Sequence, residues 1–391
     1  MQNNLFKMNY STTDFTLGIL GGGQLGKMLL YETRKFDIKT SVLDPSENAP
    51  CKIACDAFEV GDLMDYETVY NFGKNVDILT FEIEHVNINA LEALEKEGVT
   101  VYPSSKTLRN INDKITQKQF YETHQIPTSP FHVFNSKEEL VTAIKSQKIN
   151  YPFVWKQSTG GYDGMGVRII RNLNDVLNLK DVPCIAEKLI PFVNELAVIV
   201  SRNPNGEVAS YPVVEMEFHP EANQVEYVIC PARIENNIAE KARIIAEKVS
   251  DAYKHVGLLA VELFQTEEGE ILVNEVAPRP HNSGHFSIEG SLTNQFEQHI
   301  RSILNLPLGS TKSKIAAIMV NLVGEEGFTG DAHYKNVEHL LSMEGVTPHI
   351  YGKKQTRPFR KMGHVTIVNN DISKARKIAE LVKKTIKVIN R

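Results

Sequence analysis

Between residues 16 and 102 short apolar strands alternate with helical stretches, and no other feature of the 391-residue chain restricts its fold as much. Strands are expected at 16–20, 40–43, 76–81 and 99–102, and helices at 27–35, 66–73 and 89–96. Such alternation implies a parallel sheet with helices on both faces. Ligands of these sheets sit beyond the carboxyl ends of the strands. The turn Gly21-Gly22-Gly23-Gln24-Leu25-Gly26, Asp44 and Glu82-Ile83-Glu84 therefore share one rim.

That glycine turn has more than one reading. Gly21, Gly23 and Gly26 fit G-x-G-x-x-G, and Asp44 ends the next strand 18 residues after Gly26, as in a dinucleotide site. The same stretch nearly fits a phosphate loop, but Met28 after Lys27 lacks the hydroxyl that would ligate a metal. Both comparisons leave backbone N–H groups at a helix N-terminus, suited to an anionic or polar ligand. A tight turn needed only for packing is the alternative.

The pattern changes after Ile126-Pro127-Thr128-Ser129-Pro130, which reads as a domain boundary following a helix at 112–124. Ser136, with Glu139 three residues on, opens another helix. A strand at 151–155 leads into Lys156, and the nine residues 158–166 then hold four glycines around Tyr162 and Asp163. Such a run fills no core; it lets backbone approach a ligand, as a lid over phosphates or as a plain hairpin connection. Antiparallel strands are expected at 208–217 and 224–230, before a helix at 237–255. This segment is α+β.

Residues 261–277 read as two strands around Glu268-Gly269. A two-residue turn there sets Glu262 opposite Glu275. Like charges so placed are destabilising. Apolar Leu263, Phe264, Leu272 and Val273 beside them argue against a freely solvated edge. Two carboxylates on a rigid hairpin suit Mg²⁺, and a hydrated surface hairpin is the competing reading.

Toward the end, Lys353, Lys354, Arg357, Arg360 and Lys361 form a basic cluster in a chain of formal net charge −5. It is either a solvated hairpin tip or a phosphate clamp. The acidic balance gives no reason to expect nucleic acid or an anionic membrane as partner. No apolar run approaches the ~20 residues of a membrane span, and the polar tail 1–14 does not read as a signal peptide. Cys51, Cys55, Cys184 and Cys230 match no zinc pattern and suit reduced thiols in the cytoplasm.

Lys156, the glycine run, Glu187-Lys188-Leu189-Ile190, Glu195, Glu262 and Asn274-Glu275 follow the order found in ATP-grasp ligases. GGGQLG, LTFEIEHV, GGYDG, NEVAPRPHNSGH and RKMGH together resemble the N5-carboxyaminoimidazole ribonucleotide synthases of purine biosynthesis, over residues 16–368. The resemblance implies an α/β and α+β multidomain fold. A Rossmann-like parallel sheet (15–111) would precede an ATP-grasp domain (112–309) of antiparallel sheets, with a lid at about 127–190. A C-terminal domain (310–391) would carry the substrate-phosphate clamp. It implies carboxylation of 5-aminoimidazole ribonucleotide by ATP and bicarbonate with Mg²⁺, in a cytoplasmic homodimer.

By the same resemblance, Lys114, Lys156, Gly161, Gly164, Gly166, Glu187, Lys188, Leu189, Ile190, Glu195, His219, Asn274 and Glu275 would bind ATP. Glu262 and Glu275 would hold the metal, and Gln24, Glu82, Glu84, His281, Asn282, Ser283, Lys353 and Arg360 the ribonucleotide. Tyr162, Asp163, Arg279 and Lys353 would serve the chemistry. One position departs: Met165 stands where such proteins usually carry Arg or Lys, so Arg279 or Lys353 is expected to supply that charge. Competing readings are a formate- or amino-acid-using ATP-grasp ligase, an NAD oxidoreductase built on GGGQLG, and a nucleotide binder without turnover.

Overall fold

The computed structural model describes residues 10, 12, 14–161, 166–220, 222 and 224–391. Tyr162, Asp163, Gly164, Met165 and most of the 1–14 tail lie outside them. The fold is α/β in its first part and antiparallel beyond, as the sequence implies.

The first sheet is fully parallel, with spatial order Ala57–Val60, Lys39–Asp44, Thr16–Leu20, Ile78–Phe81, Thr100–Val101. Ala57–Val60 has no sequence expectation behind it; its exposed edge position leaves it without an apolar run. One face buries Leu17 and Ile19, with Leu29 and Leu30 of the helix Gln24–Lys35, in a cluster with Phe296, Ile300 and Ile303 of the helix Gln295–Ile303. That contact docks the first part of the chain onto the rest.

The expected helix at 112–124 is Lys114–Thr123, and a separate helix that the sequence reading did not expect, Ser105–Asn112, precedes it. Asp113 separates them because its extended backbone lets its carboxylate cap the second, accepting from Ile115 N at 2.8 Å and Thr116 N at 3.1 Å. The expected strand at 208–217 is broken into Val208–Ser210 and Val214–Phe218 around Pro212, which has no N–H for the ladder.

Three antiparallel sheets follow; the smallest orders Gln355–Thr356, Gly330–Lys335, Lys387–Asn390, and the other two position the site. A four-stranded one orders Phe131–Phe134, Cys184–Lys188, Phe153–Gln157, Val167–Ile170. A nine-stranded one runs from Ile271–Ala277 through Gly257–Thr266, Phe192–Arg202, Val214–Phe218 and Val225–Cys230 to Ala317–Val323, Lys361–Val368 and Val346–Ile350. Val208–Ser210 pairs with Phe192–Arg202 off this path. One face of the large sheet buries Leu196, Leu263, Val273 and Val276 under the helix Asn236–Tyr253. Its opposite face carries Ala197, Ala260 and Met216 near Phe286, and this face bears the site.

Candidate active site

The hairpin Gly257–Thr266/Ile271–Ala277 sets Glu262 opposite Glu275, as expected, but by another route. The turn is not the two-residue one. Thr266 N donates to Glu270 O at 3.0 Å, leaving a three-residue loop that displaces the register by one, so Leu263 pairs with Val273. A β-bulge at Asn274 then restores the pairing at Glu262–Glu275. Val273 and Val276, three residues apart, both enter the core beneath the helix. Side chains in a regular strand alternate faces; the bulge lets consecutive Asn274 and Glu275 serve the opposite face together.

Glu195, on the adjacent strand, lines the same face, opposite Phe264. Burial and Glu275 push its carboxyl up to about 7. Burial and then Glu275 also raise Glu262, whereas Lys114 lowers Glu275. A carboxylate pair in which one member resists ionisation is short of positive charge. Two facing oxygen ligands fit a hard divalent cation such as Mg²⁺. Among the described residues no group of three or more His, Cys, Asp or Glu is placed to hold a metal ion.

The cations come from two directions. Lys114, at the start of its helix, donates to Glu275 Oε2 at 2.8 Å, and its N–H donates to Ser158 O at 2.8 Å. Ser158 Oγ also donates to Asp113, so the helix start and the loop after Lys156 are tied together. Lys156, in Phe153–Gln157, donates to Asn274 Oδ1 at 3.0 Å and pairs with Glu187 at 3.0 Å. Glu187, in Cys184–Lys188, also pairs with Lys118 at 2.8 Å. Sequence reading missed Lys118; its place one helical turn after Lys114, on the same face, is the available signal. Lys188 is exposed, and Leu189 and Ile190 are half-buried just beyond the strand. Gly161 is exposed; Gly166, at φ +86°, packs so that a Cβ would lie 2.7 Å from Gln157 Cγ.

The glycine turn differs from its expectation as an open anion site. Glu82 already fills it, accepting from Gly23 N at 3.0 Å and from Leu25 N and Gly26 N at 3.1 Å each. Asp44 accepts from Gly22 N at 2.7 Å and Ser46 N at 2.8 Å, so its carboxylate is engaged where an NAD ribose would need it. Glu84 faces the hairpin loop instead and pairs with Arg279 at 2.9 Å.

The loop after Ala277 crosses the site face. His281 Nε2 lies 3.6 Å from Glu262, and its Nδ1 meets Ser283 Oγ at 2.9 Å. Buried Gln295 clamps the loop, accepting from His281 N at 2.9 Å and donating to His281 O at 2.8 Å. Asn282 and Asn321 exchange side-chain hydrogen bonds at 2.8 and 2.9 Å. Lys353 donates to Lys361 O at 2.8 Å, and Arg360 donates to Gln355 O.

Two expected residues stand apart from this constellation. Gln24 lines a separate cavity of about 140 Å³ with Lys27, Tyr31 and His349. His219 meets Phe359 edge-on at 5.7 Å in a cavity of about 460 Å³ that reaches Asn321. Arg168, on the strand after the glycine run, is exposed and donates to Asn178 O.

Three family models match in chain order: a ribonucleotide synthetase preATP-grasp domain over 15–112, an ATP-grasp domain over 119–296, and a phosphoribosylaminoimidazole carboxylase C-terminal domain over 317–378. The N5-carboxyaminoimidazole ribonucleotide synthase of Bacillus subtilis is 37% identical, across 90% of this chain and 91% of its own. The phosphoribosylaminoimidazole carboxylase of Saccharomyces cerevisiae is also 37% identical, but the chain spans only 64% of its length. Among solved structures, the N5-carboxyaminoimidazole ribonucleotide synthetase of Thermotoga maritima superposes with a TM-score of 0.88 at 42% identity, covering 96% of this chain and 100% of that one. The Aspergillus clavatus synthase in complex with ADP and 5-aminoimidazole ribonucleotide gives 0.85 at 34% identity, with 95% and 98% covered.

Proposed function

The chain belongs to the N5-carboxyaminoimidazole ribonucleotide synthase family of ATP-grasp ligases, and from that premise we propose that it carboxylates 5-aminoimidazole ribonucleotide with ATP and bicarbonate. The observation that carries this is the run of contacts Lys114–Glu275, Glu262–His281 and Arg279–Glu84. One hairpin and its loop join the cations suited to a triphosphate to the residues suited to an acceptor.

In this reading a bicarbonate oxygen attacks the γ-phosphorus of ATP, the β–γ bond breaks, and ADP leaves with carboxyphosphate formed. The substrate amine then attacks the carboxyl carbon, phosphate departs, and the amine loses a proton. Lys114 and Lys156 steady the phosphates. Asn274 and Glu275 share their face, Glu195 accepts from the ribose, and Glu187 to Ile190 line the adenine through backbone. Glu262 and Glu275 would hold Mg²⁺, which supplies charge neutralisation to the transferring phosphoryl group. His281, Asn282 and Ser283 receive the acceptor, Lys353 and Arg360 its phosphate, and Arg279 or Lys353 provides the charge absent at Met165. Glu82 acts indirectly, by holding the glycine turn. By the resemblance, Tyr162 and Asp163 would serve the reacting groups, where excluding water protects a hydrolysable intermediate. The three working parts are 15–111, 112–309 and 310–391.

No described helix is long and apolar enough to cross a membrane. The proposal includes a cytoplasmic homodimer, on the strength of the resemblance, and a sedimenting mass of two chains would support it. The deciding assay is ADP release. It should require ATP, Mg²⁺, bicarbonate and 5-aminoimidazole ribonucleotide together. Release that depends on formate and ignores the aminoimidazole would sink the proposal.

A further inference from the structure

Lys118 lies beneath the site. Its side chain is 1% exposed and that of Glu187 is 3% exposed, so this pair is more deeply buried than any other ion pair at the site. Glu187 is shared: Lys118 stands 2.8 Å from Oε1 and Lys156 3.0 Å from Oε2. Lys118 also donates to Thr128 Oγ1, which donates to Val273 O at 2.6 Å, next to the bulge at Asn274. Lys118 thus touches the strand that carries Glu187 and, through one hydroxyl, the hairpin that carries Glu262.

Lys156 is engaged with Glu187 and Asn274. Its third N–H can meet a phosphate, but a phosphate that draws the ammonium toward itself loosens its hold on Glu187. A buried carboxylate stripped of its last cation is strongly destabilised. Were Lys156 the sole partner of Glu187, nucleotide binding would bear that cost.

We propose that Lys118 is a standing countercharge for Glu187, which lets Lys156 leave that carboxylate for the nucleotide phosphates. This rests on the nucleotide-binding reading above and adds a positioning residue to it. Lys118 never reaches the ligand; it acts by keeping Glu187 paired in both states. The charges agree: burial raises the Glu187 carboxyl, but Lys156 and Lys118 more than reverse this. Burial lowers Lys118 to about 8 against the pull of Glu187.

The test is ADP affinity by calorimetry at fixed pH and Mg²⁺, with thermal midpoints, for wild type, Lys156→Met, Lys118→Met, Lys118→Arg, Glu187→Gln and the double variant Lys118→Met/Glu187→Gln. Lys118→Met should weaken ADP binding at least tenfold and raise KM for ATP, while KM for 5-aminoimidazole ribonucleotide stays within about twofold. Lys118→Arg should restore most of the affinity. The double variant should bind ADP within about threefold of Glu187→Gln, because residue 187 then carries no charge that the loss of Lys118 could strand. An unaffected Lys118→Met, or a double variant no better than Lys118→Met, overturns the inference. If Lys118→Met does not fold, a folded, ADP-binding double variant supports it and an unfolded one overturns it. A wild type that does not bind ADP, or a Lys156→Met that binds as well as wild type, overturns the nucleotide reading and this inference with it. A wild type that binds beside an unaffected Lys118→Met overturns the inference alone.

Discussion

Glu262 and Glu275 stand directly opposite one another although the turn between their strands has the wrong length to put them there. A three-residue loop shifts the pairing by one, and the bulge at Asn274 shifts it back. The hairpin thereby keeps its carboxylates face to face and gains Asn274 on the same side.

Glu262→Gln separates stability from activity. It removes a carboxyl that ionises freely in the unfolded chain but is held back by burial and Glu275 in the folded one, so metal-free protein should gain about 0.5–1 kcal/mol in urea unfolding at pH 7 with chelator present. Turnover should fall on the order of 10²-fold or more. A loss of stability in the metal-free variant would show that the pair is not held under repulsion.

The Glu195 carboxyl, pushed up to about 7 by burial and then by Glu275, predicts a pH-dependent cost. An unfolded Glu titrates near ~4.3. Below that pH both states are protonated and nothing is lost. As pH rises toward 7 the unfolded chain ionises first, so folding loses ground, and above 7 the loss is complete. Allowing for partial exposure, Glu195→Gln should be more stable than wild type by roughly 1 kcal/mol at pH 8 and equal to it at pH 4. Urea titrations at the two pH values check this; a constant difference would refute it.

Glu82→Ala leaves the three N–H groups of Gly23, Leu25 and Gly26 without their carboxylate. It should cost about 2–3 kcal/mol in denaturant unfolding. Glu82→Gln, which keeps one acceptor, should fall between. An alanine variant as stable as wild type would mean that the turn holds without Glu82.

Arg279 and Glu84 join the hairpin loop to the first sheet. A double-mutant cycle with Arg279→Ala and Glu84→Ala, read in kcat/KM for 5-aminoimidazole ribonucleotide, should give a coupling of about 1 kcal/mol or more. Strictly additive losses would mean that the two residues act separately.

The sequence carried the layout well and the local contacts less well. Strand and helix alternation gave the parallel sheet, because burial on both faces leaves a strong periodic trace. Glu262 opposite Glu275 was legible too, yet the expected register assumed the wrong turn, since a loop error and a bulge cancel and neither marks the residue pattern. The engagement of Glu82 and Asp44 with the glycine turn was not legible. G-x-G-x-x-G specifies free N–H groups without saying which carboxylate meets them, and Glu82 lies 56 residues beyond Gly26. Lys118 escaped because a buried lysine reads in sequence like any exposed one, and only the fold brings Glu187 to it.

The large sheet continues without interruption from the carboxylate hairpin to the strand that ends the basic cluster. Its strands are locked by shared backbone hydrogen bonds, and its register can change only in whole residues. The framework between the carboxylate hairpin and the basic cluster is therefore a stepped scale and not a spring. A slipped ladder would turn alternate side chains away from the site, so a misfolded copy would be inert and not slow. The four-stranded sheet shares no ladder with that framework, so its position is not tied to the same register.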